Sequence, residues 1–107
     1  MGTLCYLAPE MYTKKITDLK DYNTLSDMWS LGVIIYTLVS KNFPFEGTDE
    51  EIQMKIQTTD YTFEPKELWD QISSECKDLI ENLLEPNLKM RLSAEQALNH
   101  AWFDSLK

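Results

Sequence analysis

The apolar positions of this chain recur at helical spacing, and almost nowhere do they alternate as a half-buried strand would require. The strongest signal runs from Ser26 to about Ser40, where Trp29, Leu31, Val33, Ile34, Ile35, Tyr36, Leu38 and Val39 cover most of a helical circumference. A helix that is apolar nearly all round belongs in a core. Ser26 is placed to cap it, and Asp27 suits its positive end. Lys41-Asn42 can end it, with Asn able to take the left-handed conformation. Phe43-Pro44-Phe45 then reads as an extended apolar link, since proline disfavours helix in the residue before it.

The flanking segments are shorter and amphipathic. Thr48-Asp-Glu-Glu51 is a capping box that opens a helix of two or three turns, with Ile52 and Ile56 on one face. Pro65 and Leu68-Trp69 mark a short turn. A further helix begins at Ser74 and carries Cys76, Leu79, Ile80, Leu83 and Leu84 as a stripe, with Pro86 ending it. Ser93-Ala-Glu-Gln96 is a second capping box, followed by Ala97 and Leu98, and Trp102 and Phe103 supply aromatic surface to close the core. Residues 1–10 read as an extended loop leading to a turn of helix near Glu10 to Thr13, and the polar residues 14–25 as a surface loop. The expectation is an all-α chain of about five helices packed around residues 26–40.

Composition narrows the function classes. The 107 residues are one domain at most, and their hydrophobic and charged fractions, 43% and 26%, are those of a globular chain. A net charge of −8 argues against nucleic acid and anionic membrane as partners. Cys5 and Cys76 have no metal-ligand spacing and read as free thiols of an intracellular protein, cytoplasmic or nuclear. No metal site is expected. The run from Met28 to Val39, broken by Ser30, Gly32 and Thr37, is too short for a membrane span, and no signal peptide is visible.

Four motifs then fall in a telling order: Gly2-Thr-Leu-Cys-Tyr-Leu-Ala-Pro-Glu10, Asp27-Met-Trp-Ser-Leu-Gly32, Phe43-Pro-Phe45, and Arg91-Leu-Ser-Ala-Glu-Gln-Ala-Leu-Asn-His100-Ala-Trp102. Together they resemble the C-terminal lobe of eukaryotic serine/threonine protein kinases, most like the calcium/calmodulin-dependent and checkpoint-type group, and the likeness covers essentially the whole chain. It implies a parent that transfers the γ-phosphate of ATP, with Mg²⁺, to a protein hydroxyl. It also implies roles for particular residues. Thr3, Leu4 and Leu7 correspond to the loop that receives the substrate peptide. Glu10 and Arg91 correspond to a buried ion pair, for which the planar guanidinium fork is suited. Asp27 corresponds either to a first-turn acid or to a buried acceptor for a catalytic loop.

Other residues have plainer readings. Asp49, Glu50 and Glu51 either complement a helix dipole or attract a basic substrate. His100, with no base, nucleophile or metal partner near it in sequence, reads as structural. Three places depart from the family pattern: Asn87-Leu88 where Asp/Asn-Pro is frequent, Lys41-Asn42 without the frequent Gly, and a long connection over residues 11–23 of the kind that exchanges between subunits in some checkpoint-type kinases.

The phosphate-binding Gly-rich loop, the His-Arg-Asp catalytic loop and the Asp-Phe-Gly metal motif of that family are not found. In the family they precede the opening run, upstream of which only Met1 stands here. The chain is thus expected to be a partial kinase domain over residues 1–107, inactive alone, with no catalytic residue and no bound cofactor of its own. A non-catalytic, kinase-derived interaction module is the alternative. Either way, truncation should expose apolar surface that favours self-association or a segment swap.

Overall fold

The computed structural model describes residues 8, 9 and 19–105, with side chains described for 8, 9 and 24–104. The expected loop over residues 1–7, the turn from Glu10 to Thr13 and the segment 14–18 lie outside the described residues. Among the described residues there are six helices and no strand: α1 (Leu19–Ser40), α2 (Asp49–Gln57), α3 (Lys66–Trp69), α4 (Ser74–Leu83), α5 (Ala94–Leu98) and α6 (Ala101–Ser105).

The first helix departs from expectation at its start. It begins at Leu19, so residues 19–25 are helical rather than loop, and Ser26 and Asp27 lie inside the helix instead of at its mouth. Residues 19–25 contain neither Gly nor Pro. Extending an existing helix costs far less than nucleating one, and no breaker stands between Leu19 and Ser26 to stop the extension. At the other end Lys41, not Asn42, takes the left-handed conformation, with φ 62°. The Lys41 N–H closes on the Thr37 carbonyl at 2.7 Å, and the Asn42 side chain donates to the Ser40 carbonyl at 3.1 Å.

Helix α1 lies along α4, and Gly32 sets how close the two come. A Cβ at residue 32 would stand 2.8 Å from the Leu83 Cβ. Around this crossing Trp29, Val33, Leu79, Ile80 and Leu83 are fully buried, and the apolar stripe predicted on α4 is the face it buries. A second layer is aromatic. Phe45 stacks on Trp29 with ring centroids 5.9 Å apart, and Tyr36 meets Trp69 at 4.8 Å. Phe63 closes on the same Trp69 at 4.7 Å. The Tyr36 hydroxyl donates to the Thr62 carbonyl at 2.6 Å. Burial, followed by the charges of Glu46 and Glu64, raises its pKa and so keeps that proton in place.

Both predicted capping boxes are formed. At α2, Thr48 Oγ1 accepts from the Glu51 N–H and the Glu51 carboxylate accepts from the Thr48 N–H; at α5, Ser93 and Gln96 make the same exchange. The cap of α4 is Ser73, whose hydroxyl oxygen accepts from the Cys76 N–H at 3.1 Å.

Helix α1 is not buried all round. Ile34 is 43% exposed and Leu38, one turn on, is 72% exposed. One helical face is covered by α4 and the aromatic layer. The face bearing Ile34 and Leu38 has no element of the described structure laid over it. No helix among the described residues is long and apolar enough to cross a membrane.

Candidate functional site

Arg91 is the most constrained charged side chain among the described residues. It sits in the turn between α4 and α5 and is only 2% exposed. Its Nε–H donates to the Glu85 carbonyl at 2.8 Å, and an N–H of its guanidinium donates to the Leu25 carbonyl of α1 at 2.9 Å. The guanidinium lies 5.1 Å from the centroid of the Trp29 ring. A weakly hydrated planar cation can spread over an aromatic face in this way while its edge still donates hydrogen bonds. One side chain thereby ties the end of α4 to the first half of α1 across a sequence separation of 66. The Trp29 Nε1–H is buried with no acceptor among the described residues, so it is the ring face of Trp29 that holds the arginine.

Ala8 and Pro9 of the opening motif approach the same core. Ala8 is 1% exposed and belongs to the core cluster, and Pro9 is buried beside it. Thr3, Leu4, Leu7 and Glu10 lie outside the described residues, so their positions relative to Arg91 are not part of this geometry. Asp27 is exposed and belongs to the interior of α1. It is therefore not a first-turn acid of α1, which begins at Leu19, and no element of the described residues buries it.

His100 is held at both nitrogens. Nδ1 accepts from the Trp102 N–H at 3.0 Å, which leaves the proton on Nε2, and that nitrogen meets the Asp78 carboxylate at 2.7 Å. The imidazole thus pins the α5–α6 junction to α4. Of the three acids at the start of α2, Glu51 closes the capping box. The Thr48 backbone and side-chain hydrogen bonds hold its pKa below the ordinary carboxylate value.

Sequence reasoning singled out Arg91, read Trp29 as a core residue and His100 as structural, but named neither the Leu25 and Glu85 carbonyls nor the Trp29 ring as partners of Arg91, nor Asp78 as the partner of His100. Backbone acceptors carry no residue signature. With residues 14–25 read as a loop, no signal placed Leu25 one helical turn before Trp29; that follows only from the observed start of α1 at Leu19.

Comparison with known proteins decides what this assembly belongs to. A family profile described as "Protein kinase domain" matches residues 1–103. This chain belongs to the protein kinase domain family. Among curated kinases it is 43% identical over 102 residues to mouse serine/threonine-protein kinase D3, covering 95% of this chain and 11% of that protein. It is 44% identical over 103 residues to serine/threonine-protein kinase dkf-1 of Caenorhabditis elegans, covering 95% and 13%. Among solved structures it is similar to "Titin kinase and its flanking domains", with TM-score 0.84, 34% identity and coverage of 97% of this chain and 18% of the other. The "autoinhibited serine kinase domain of the giant muscle protein titin" matches with TM-score 0.83, 35% identity and coverage of 94% and 30%. The chain therefore spans a small fraction of these kinases: 11–13% of the curated relatives named.

Proposed function

We propose that this chain is the peptide-side part of a serine/threonine kinase catalytic domain. Its parent transfers the γ-phosphate of ATP to a protein Ser or Thr hydroxyl, and the isolated chain is inactive. The observation that carries this reading is the kinase-domain match over residues 1–103, on a helical assembly that superposes on less than a third of a titin kinase domain. Phosphoryl transfer rests on positioning and charge neutralisation around the nucleotide and its Mg²⁺. In this reading the residues that bind ATP and Mg²⁺ belong to other parts of the parent, because the Gly-rich loop, the His-Arg-Asp loop and the Asp-Phe-Gly motif are not found in the sequence.

Within that reading, Thr3, Leu4 and Leu7 form the floor of the substrate-peptide site, and Glu10 pairs with Arg91. The burial of Ala8 and Pro9 supports this, because it sets the two residues before Glu10 against the core. Arg91 supports it too, being buried and already oriented by Leu25, Glu85 and Trp29. The calcium/calmodulin-dependent and checkpoint-type subgroup rests on the four motifs and their spacing. An intracellular compartment rests on that kinship and on the free, buried thiol of Cys76. Alone, the chain associates with itself through the apolar face of Ile34 and Leu38, which in the parent lies against other parts of the kinase domain.

The test is phosphate transfer from labelled ATP to a protein substrate, measured for the parent protein and for this chain. Transfer by the parent and none by the chain is expected. A parent lacking catalytic-loop and metal-binding motifs, and transferring nothing, would leave a kinase-derived interaction module as the function.

A further inference from the structure

A second surface lies on the exposed side of α4, away from the Arg91 anchor. A groove of about 540 Å³ opens between the first two turns of α4, the half-buried Phe63 and the α5–α6 junction at His100 and Ala101. Its floor is rigid for a physical reason. Phe63 is gripped edge and face by Tyr61, Tyr36 and Trp69, and the His100 imidazole is fixed at both nitrogens. Its rim is acidic. Glu75, Asp78 and Glu81 follow one another at intervals of three on α4, which puts them along one face, and all three are exposed. Lys77 is the one Lys or Arg among the described lining residues. No Lys or Arg of the described structure comes within ion-pair distance of the three carboxylates. The groove therefore joins an apolar floor to a row of carboxylates that the fold leaves without cationic partners.

We propose that this groove docks a cationic peptide segment: one aliphatic or aromatic side chain enters over Phe63 and Ala101, and flanking Arg or Lys residues meet Glu75, Asp78 and Glu81. Charge complementarity selects this occupant. Nucleic acid and anionic lipid are repelled by the same carboxylates, and a second copy of a chain carrying −8 would bring like charge to the rim. Such docking is independent of phosphate transfer and would tether a basic partner whether or not its hydroxyl is the one modified.

The experiment titrates the full chain into a fluorescein-labelled Arg-Arg-Leu-Arg-Arg peptide at physiological ionic strength and follows anisotropy. Saturable binding is expected. The double variant Glu75→Lys/Glu81→Lys should weaken it by about tenfold or more, its fold checked by circular dichroism, since both residues are exposed. A Glu50→Lys/Asp60→Lys variant changes the net charge equally outside the groove and should bind within about twofold of the parent chain. Replacing the peptide's Leu by Gly should weaken binding as the loss of an apolar anchor does. Absence of saturation, equal losses in the two charge variants, or indifference to the Leu would each overturn the proposal.

Discussion

The two faces of α1 carry similar residues and meet different fates. Trp29, Val33 and Tyr36 face α4 and the aromatic layer and are buried; Ile34 and Leu38, just as apolar, face solvent. Residue type does not distinguish the two faces. What differs is the presence of a covering element, since a helix contributes hydrophobic free energy only where apolar area leaves water. The contrast teaches that apolar character alone does not bury a helix face: among the described residues, burial follows the element that covers it.

Four experiments probe that contrast, and the largest effect belongs to the covered face. Arg91→Ala removes a buried cation, takes its hydrogen bonds from the Leu25 and Glu85 carbonyls and uncovers Trp29. A loss of about 3–5 kcal/mol is expected, as for removing two buried hydrogen bonds from a charged group together with a cation–π contact. The melting temperature should then fall by more than about 10 °C in circular dichroism. An unchanged melting curve would mean that Arg91 does not hold α1 to the turn after α4.

Next in size is Gly32→Ala. The new Cβ must displace the Leu83 Cβ, an atom tied to the α4 backbone rather than the tip of a flexible side chain. Overpacking of this kind costs about 1–3 kcal/mol, offset by up to about 1 kcal/mol of better helix propensity. Chemical denaturation should show net destabilisation. A gain in stability would mean that α1 and α4 are packed more loosely than this crossing requires.

On the uncovered face the sign of interest changes. Leu38→Ser should alter the unfolding free energy of the chain by no more than about 0.5 kcal/mol, as for other exposed positions. It should nevertheless reduce self-association in sedimentation. Strong destabilisation with association unchanged would show that the Leu38 face is already covered.

The smallest effect concerns the α2 capping box. The folded-state pKa of Glu51 is lowered by its hydrogen bonds to Thr48. The contribution is therefore complete above the unfolded Glu value and is lost as pH falls through the lower folded value. Glu51→Gln, whose amide oxygen can still accept from Thr48, should flatten this acid-side loss. A parallel pH profile for the two proteins would place the sensitivity elsewhere.

Much of this architecture was legible because it is written in local chemistry. The capping boxes at Thr48 and Ser93 and the stripe from Cys76 to Leu83 follow from neighbours a few residues away, whereas His100 read as structural without its partner Asp78, 22 residues off, being visible. The start of α1 was misread for an equally local reason: Ser26 is a good cap, but a cap signal does not stop a helix that can propagate through it. The candidate site was legible in part. Arg91 stood out through its motif, while its carbonyl partners, being backbone atoms, could not.

By itself the sequence determined the helical class, the order and most boundaries of the helices, and the kinase kinship, since periodicity, capping chemistry and motif order are all properties of residues in line. Tertiary structure alone decided which face of α1 is covered, how near α1 and α4 approach at Gly32, and that Arg91 closes on Leu25, Glu85 and the Trp29 ring. These depend on contacts between residues far apart in the chain, and burial is conferred by a neighbour rather than carried by a side chain.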